Sequence, residues 1–515
     1  MSIGIVRTVR DGDAVALSYA QEQLCFLHKL EPGLTAYNLP RVFRLEGALD
    51  ADALERAFQA VIARHAILRT SFFEQDGVPM QRVHASAPFA LERIDLSGLP
   101  VEAQKQPLDE AVRRTAAHVF DLGVAPALVA RLVTLGGGRH VLAVCLHHVV
   151  SDAWSNPVLA NDLARAYRLA LRSGDAVELP PLSVQYADYA VWQRAGVQGG
   201  ALAGQLEHWN RHLGPEVPVL DLPTDRTRGS RKTFAGTALG FELPPALALA
   251  VQKFCRAEKC TPFVALLAAW QVLLSRQSGQ GDFAVGVPNA GRHHEEVSEL
   301  LGFFVTTQVF RARLSPRQSL RQVCRQVRAD ALAALDNADL PFEVLLENRK
   351  DHRDPARSPL FQVMFGVQMS GEAVALDLEG VRAELEEFDD AGAKFDLSLD
   401  FYIDPQAVRG RLEYNTDLFE AHTAQRLVDG YVRVLETLAS DPDRLLANLV
   451  LTSEAERAQL MGWSENPQHR DHVEPVHRLI SRQAARTPDA QAVVFGEASL
   501  SYAQLDAQAN RLAHR

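Results

Sequence analysis

Long apolar runs are absent from the chain. None of its 515 residues falls in a stretch of about 18 consecutive apolar positions, so nothing reads as a membrane-spanning helix. The opening MSIGIVRTVRDGD lacks the apolar core and small-residue cleavage site of a secretory signal, and a cytoplasmic location is expected. Cysteine is scarce as well. The five thiols (Cys25, Cys145, Cys255, Cys260, Cys324) are odd in number and scattered among apolar neighbours, which argues against a disulfide framework or a zinc site and for buried free thiols. No sustained basic run interrupts a net charge of -11, which speaks against nucleic acid as a partner. Neither a glycine-rich phosphate loop nor a nucleophile elbow occurs, because the one glycine cluster, Gly136 to Gly138, is followed by a strand pattern.

What is present is 47% hydrophobic residues over a length that can bury large cores. Residues 49–72 show helical periodicity after an aspartate cap and then turn extended. ALVARLVTL and RHVLAVCLHHVV read as two strands joined by a glycine hairpin. Next, Ser155 or Asn156 can cap a helix with Pro157 in its first turn, and Gly174 can end it. His147 and His148 thus stand where a strand gives way to a loop before a helix. Residues 180–232 are rich in proline, aromatics and glycine, as befits a connection, and a second mixed block follows to about 457. Two such blocks imply a two-lobe α/β enzyme with its site between them.

Residues 146–155, LHHVVSDAWS, are the most informative segment. Adjacent side chains on an extended chain point to opposite faces, so one histidine can anchor inward while the other faces a cleft. Asp152, at the helix entrance, can fix the loop through a charge-assisted bond to an arginine. Adjacent histidines rarely share one metal ion, and no third ligand stands nearby; no metal is expected.

LHHVVSDAWS resembles the HHxxxDG signature of nonribosomal peptide synthetase condensation domains and their chloramphenicol acetyltransferase-like relatives, with Ala153 in the glycine position. LSYAQEQLCFL (17–27), RHAILRTSF (64–72), YADYAVWQ (186–193), GFFVTTQVFR (302–311), NADLPFEVLLE (337–347) and RDPARSPLFQVMF (353–365) resemble further motifs of that family, in its order. Thr306 stands where the family usually has asparagine, and Asn337 where it often has histidine.

The resemblance implies an α/β fold of two chloramphenicol acetyltransferase-like lobes forming a V with the active-site tunnel between them: residues 1–179 and 233–457, joined by 180–232. A linker, 458–474, would lead to 475–515, which resembles the opening of an adenylation domain. The implied reaction joins a thioester-bound acyl donor to the amine of a carrier-bound amino acid in peptide antibiotic synthesis. No cofactor would be bound by the chain itself, and both substrates would ride on phosphopantetheine. His148 is implied as the group that orients the amine or takes its proton, with His147 holding the loop. Asp152 is implied as structural, with Arg292 as its favoured partner and Arg64 and Arg69 as rivals. Ala153, Trp154, Ser155, Thr306 and Thr307 are expected along the substrate tunnel, with an amide at the Trp154–Ser155 helix start as an oxyanion donor. Only about 16 residues precede the first motif, which favours a starter domain making a lipopeptide, its fatty acyl donor coming from acyl-coenzyme A or an acyl carrier protein. An elongation domain with a peptidyl donor is the alternative, ahead of an epimerisation domain or an inactive recruiting platform. Downstream adenylation and carrier domains are the expected partners of a monomer, with no membrane.

Overall fold

The computed structural model describes residues 4–173, 177–349, 354–369, 376–386, 392–404, 406–464 and 474–515; Gly174, residue 353 of the RDPARSPLFQVMF segment and most of the expected linker lie outside them. By compactness the chain divides into residues 1–451 and 452–515.

In the first unit, Asp50 starts a helix as its spacing predicts. Its carboxylate accepts the Asp52 and Ala53 amides, both at 2.9 Å, and Ala51–Arg64 follows. The strands Leu128–Gly136 and Arg139–His147 pair antiparallel. Gly136, Gly137 and Gly138 all have left-handed φ (82°, 63° and 73°), a run that alanine would strain at every step. Arg139–His147 also pairs with Asn38–Gly47 and so lies inside a five-stranded sheet. A strand buried on both faces requires the continuous apolar run VLAVCL.

The second block builds a six-stranded sheet in the order Thr306–Arg313, Asp282–Asn289, Val363–Met369, Leu397–Ile403, Val408–Asn415, Gly236–Glu242. Thr261 caps the apolar helix Pro262–Ser278, whose interior positions are buried in that block's core. This helix follows Pro245–Glu258 after a bend of 107°, and no single helix among the described residues is long and apolar enough to cross a membrane.

The two blocks are not separate in sequence. Val381–Glu386, from the second block, pairs antiparallel with Asn38–Gly47 and completes an edge of the first block's sheet. Val297, Leu300, Leu301 and Phe304 likewise pack in the first block's core. Composition marks blocks but cannot mark a strand that closes a distant sheet edge.

The second unit holds the helices Glu454–Ser464, Val476–Arg486 and Tyr502–Ala513 and the hairpin Gln491–Phe495/Ala498–Ser501. Residues 458–464, expected as linker, are therefore helical. Phe495, Val476 and Leu512 are exposed.

Candidate active site

Arg139–His147 ends with its last backbone N–H bonded to the Ala127 carbonyl, at 3.1 Å. Beyond it the chain makes a short turn over His148–Val150 before the helix Ser155–Arg172. His147 points inward and is buried. Its ring accepts the Val149 amide at Nδ1 (3.1 Å) and meets His28 and Phe120 edge-on.

His148 is held differently. Its amide donates to the Tyr37 carbonyl at 2.8 Å, and its Nδ1 lies 2.7 Å from the Ser151 carbonyl. A carbonyl only accepts, so Nδ1 carries the proton and the neutral ring keeps its Nε2 lone pair. The Phe303 ring stands against it, 4.6 Å between centroids. Burial, aided by the positive charge of Lys394, pushes the His148 pKa down to about 3, and burial with His28 and Lys394 does the same to His147. Both imidazoles are neutral at physiological pH.

Four residues on, Asp152 is saturated. Oδ1 accepts the Ser155 amide (2.9 Å), the Ser155 hydroxyl (2.8 Å) and Arg292 Nη2 (3.2 Å), while Oδ2 accepts the Phe304 amide (3.0 Å). Both side chains of the Asp152–Arg292 pair are 2% exposed. Arg292 also donates to the Val297 and Leu300 carbonyls and lies over the Phe304 ring, 4.1 Å from its centroid. This knot ties the loop after the histidines to residues 292–304.

Arg64 and Arg69 serve elsewhere: Arg64 pairs with Asp162 and Glu299, both at 3.2 Å, and Arg69 with Asp11 and the His84 carbonyl. Ser155, expected on the tunnel wall, is fully buried in the knot, where its hydroxyl also accepts from Gly302 N–H and Arg292. Its amide is spent on Asp152, so it is no oxyanion donor. Trp154 is 42% exposed and donates to the Ser298 carbonyl at 3.2 Å. Ala153 is exposed and has no left-handed φ, so it occupies the motif's glycine position without backbone strain. Thr306 and Thr307 are half-buried at the start of an edge strand, and the Thr306 hydroxyl accepts the Phe342 amide at 3.3 Å.

Several supporting residues lie in the motif-like segments 64–72, 186–193 and 302–311 but are not among the expected site residues. His65 bonds Asp162 at 2.7 Å through Nε2 and accepts the Leu301 amide at Nδ1. Tyr186 donates to the Phe303 carbonyl at 2.6 Å, and a Cβ on Gly302 would fall 2.0 Å from its ring. Residues 301–304 are thus gripped by His65, Asp152 and Tyr186 from three separate elements, and Phe303 is set against His148 as a result.

Known proteins carry the same chain plan. Over 518 residues the chain is 38% identical to a linear gramicidin synthase of Brevibacillus parabrevis, a match that covers all of this chain but only 7% of that protein. The crystal structure of the X-domain from teicoplanin biosynthesis superposes with a TM-score of 0.79 at 27% identity, over 86% of this chain and 99% of the other. The first condensation domain of the calcium-dependent antibiotic synthetase, bound to a substrate analogue, shares the fold with a TM-score of 0.69 at 22% identity, over 87% and 100%. The condensation domain family matches residues 12–461, which include the five- and six-stranded sheets and the whole His148–Arg292 neighbourhood, and the chain belongs to that family.

Proposed function

We propose that His148 Nε2 accepts a hydrogen bond from the amine of a carrier-bound amino acid and aims it at the carbonyl of a thioester donor. The observation that carries this is the Nδ1–H bond to the Ser151 carbonyl, which leaves the other ring nitrogen as an acceptor. A thioester is already activated, so aligning the reactants supplies much of the rate, on the order of 7–11 kcal/mol in the best cases. An imidazole whose pKa is pushed to about 3 holds a proton poorly and orients an amine well. Positioning is the role we assign; His147 and Asp152 hold the turn on either side.

Both substrates are read as phosphopantetheine thioesters, with adenylation and carrier domains as partners and residues 475–515 as the opening of the former. The donor is the finer part of the proposal. Similarity to large synthases, of which the chain spans 7% in the gramicidin case and 21% in a dimodular nonribosomal peptide synthase of Bacillus subtilis (strain 168), supports a peptidyl donor. A starter domain using fatty acyl-coenzyme A or acyl carrier protein is the competing outcome. The deciding assay offers the purified chain an aminoacyl carrier protein with either peptidyl carrier protein or a series of acyl-coenzyme A lengths. Amide product from the peptidyl carrier alone supports elongation, and product only from the acyl series overturns it. A second reading draws on the X-domain, solved in complex with OxyB: a chain that makes no amide from any donor is a recruiting platform.

A further inference from the structure

The five thiols look scattered in sequence, yet two of them meet. The helix Pro245–Glu258 ends in a Schellman turn: the Cys260 N–H bonds the Cys255 carbonyl at 3.0 Å and the Lys259 N–H bonds the Arg256 carbonyl at 3.3 Å. Lys259 takes the left-handed conformation (φ 52°, ψ 45°) that such a turn requires, without the glycine that usually supplies it. The geometry brings the side chains five residues apart into contact across the helix end, and here both are cysteine. Cys255 Sγ donates to the carbonyl of Thr261, the residue after Cys260, at 3.7 Å, so both thiols belong to the same turn. Cys260 is half-exposed, whereas Cys255 and, on the neighbouring helix Leu320–Asp336, Cys324 are buried.

We propose that Cys260 and Cys255 form a hydroperoxide-sensitive dithiol, a modification site that closes to an intrachain disulfide across the helix end. The neighbouring Cys255 thiol and the charge of Arg328 favour the Cys260 thiolate, against partial burial and Glu258, and the Cys260 neighbour and burial keep Cys255 protonated. Reactivity follows thiolate character and access, and both point to Cys260. Its thiolate attacks the peroxide O–O bond, giving a sulfenic acid and, after protonation, an alcohol or water; sulphur is oxidised and peroxide reduced. The Cys255 sulphur then displaces the sulfenic hydroxyl, its own proton leaving with that oxygen as water. The Schellman turn already sets the two side chains next to each other, so the helix need not unwind for the bond to form.

The test uses the full chain. It is exposed to one equivalent of hydrogen peroxide, alkylated, and digested with trypsin, which cuts after Arg256 and Lys259. Expected is a disulfide-linked pair of the peptides 254–256 and 260–276, reversed by dithiothreitol. Before oxidation, Cys260 should alkylate at least about tenfold faster than Cys255 or Cys324. Cys324→Ser should keep the linked pair, and Cys255→Ser should leave a Cys260 sulfenic acid that dimedone traps. Linkage through the Cys324 peptide 322–325, or sulfinic acid on Cys260 in the intact chain with no linked pair, overturns the proposal.

Discussion

His148 and Asp152 stand at the two ends of one short turn, and their surroundings differ in kind. Asp152 spends both oxygens on four donors inside the Arg292 knot, whereas His148 uses one ring nitrogen on the Ser151 carbonyl and leaves the other an acceptor. A group whose capacity is exhausted can only hold structure; a group with one capacity left over can meet a ligand. The turn thus separates stability from chemistry within a few residues, and four measurements can break that separation or sharpen it.

The largest effect should come from His148→Ala. Loss of the acceptor is expected to slow amide formation on the order of 10²–10⁴-fold, the range of a positioned imidazole. Stability should fall by no more than about 1.5 kcal/mol, one hydrogen bond's worth, in urea titration. A slow variant that is also severely destabilised would merge the two roles.

Asp152→Ala should reverse the pattern, costing about 3–5 kcal/mol of folding stability because a buried guanidinium loses its partner. Chemical denaturation reads this directly, and a wild-type midpoint would remove Asp152 from the structural role. Replacing Asp152 and Arg292 together should recover part of the loss, since no unpaired charge then remains.

The third measurement is the acid limb of stability. His147 and His148 have native pKa values pushed down to about 3, against about 6.5 in an unfolded chain. Below about pH 6.5 the unfolded state binds protons that the native state refuses, so their contribution is full above that value. It is lost progressively as pH falls toward about 3. Each neutral ring adds a slope of up to about 1.4 kcal/mol per pH unit in that window. Unfolding free energies of His148→Ala between pH 4 and 6.5 should show a shallower slope than those of the unaltered chain.

Ala153→Gly should matter least. Alanine sits there without strain and exposed, so turnover should be kept or raised, by less than about threefold, and stability should drop by about 0.5–1 kcal/mol through chain entropy. A clear fall in turnover would mean that the site depends on the methyl group.

Local features were legible before the fold was known. The glycine hairpin, the Asp50 cap and the position of two histidines at a strand end follow from composition and spacing, and the family motifs brought Arg292 to attention. What escaped is long-range. His65 meets Asp162 from 97 positions away and Leu301 from 236, and Tyr186 meets Phe303 from 117. His65 and Tyr186 lie in motif-like segments, but no period joins either of them to Asp162, Leu301 or Phe303. Ser155 was misplaced for a related reason: helix-start residues look free until it is known that an upstream carboxylate takes both the amide and the hydroxyl. The Cys255–Cys260 spacing was visible, but its meaning depends on a left-handed Lys259 that propensity does not favour.

The borrowed strand Val381–Glu386 has a consequence for how the chain is made. Arg44 and Glu386, which pair across that junction, are 342 positions apart. At synthesis rates of ~5–20 residues per second, roughly 20–70 s separate the emergence of Asn38–Gly47 from that of the strand that closes its edge. Throughout that interval the nascent first sheet presents unpaired amides and carbonyls along Asn38–Gly47, the condition that invites pairing with a foreign strand. Ribosome pausing or truncation before residue 386 would therefore yield a sticky, edge-open fragment, and cutting the gene between the two blocks cannot release two independent halves.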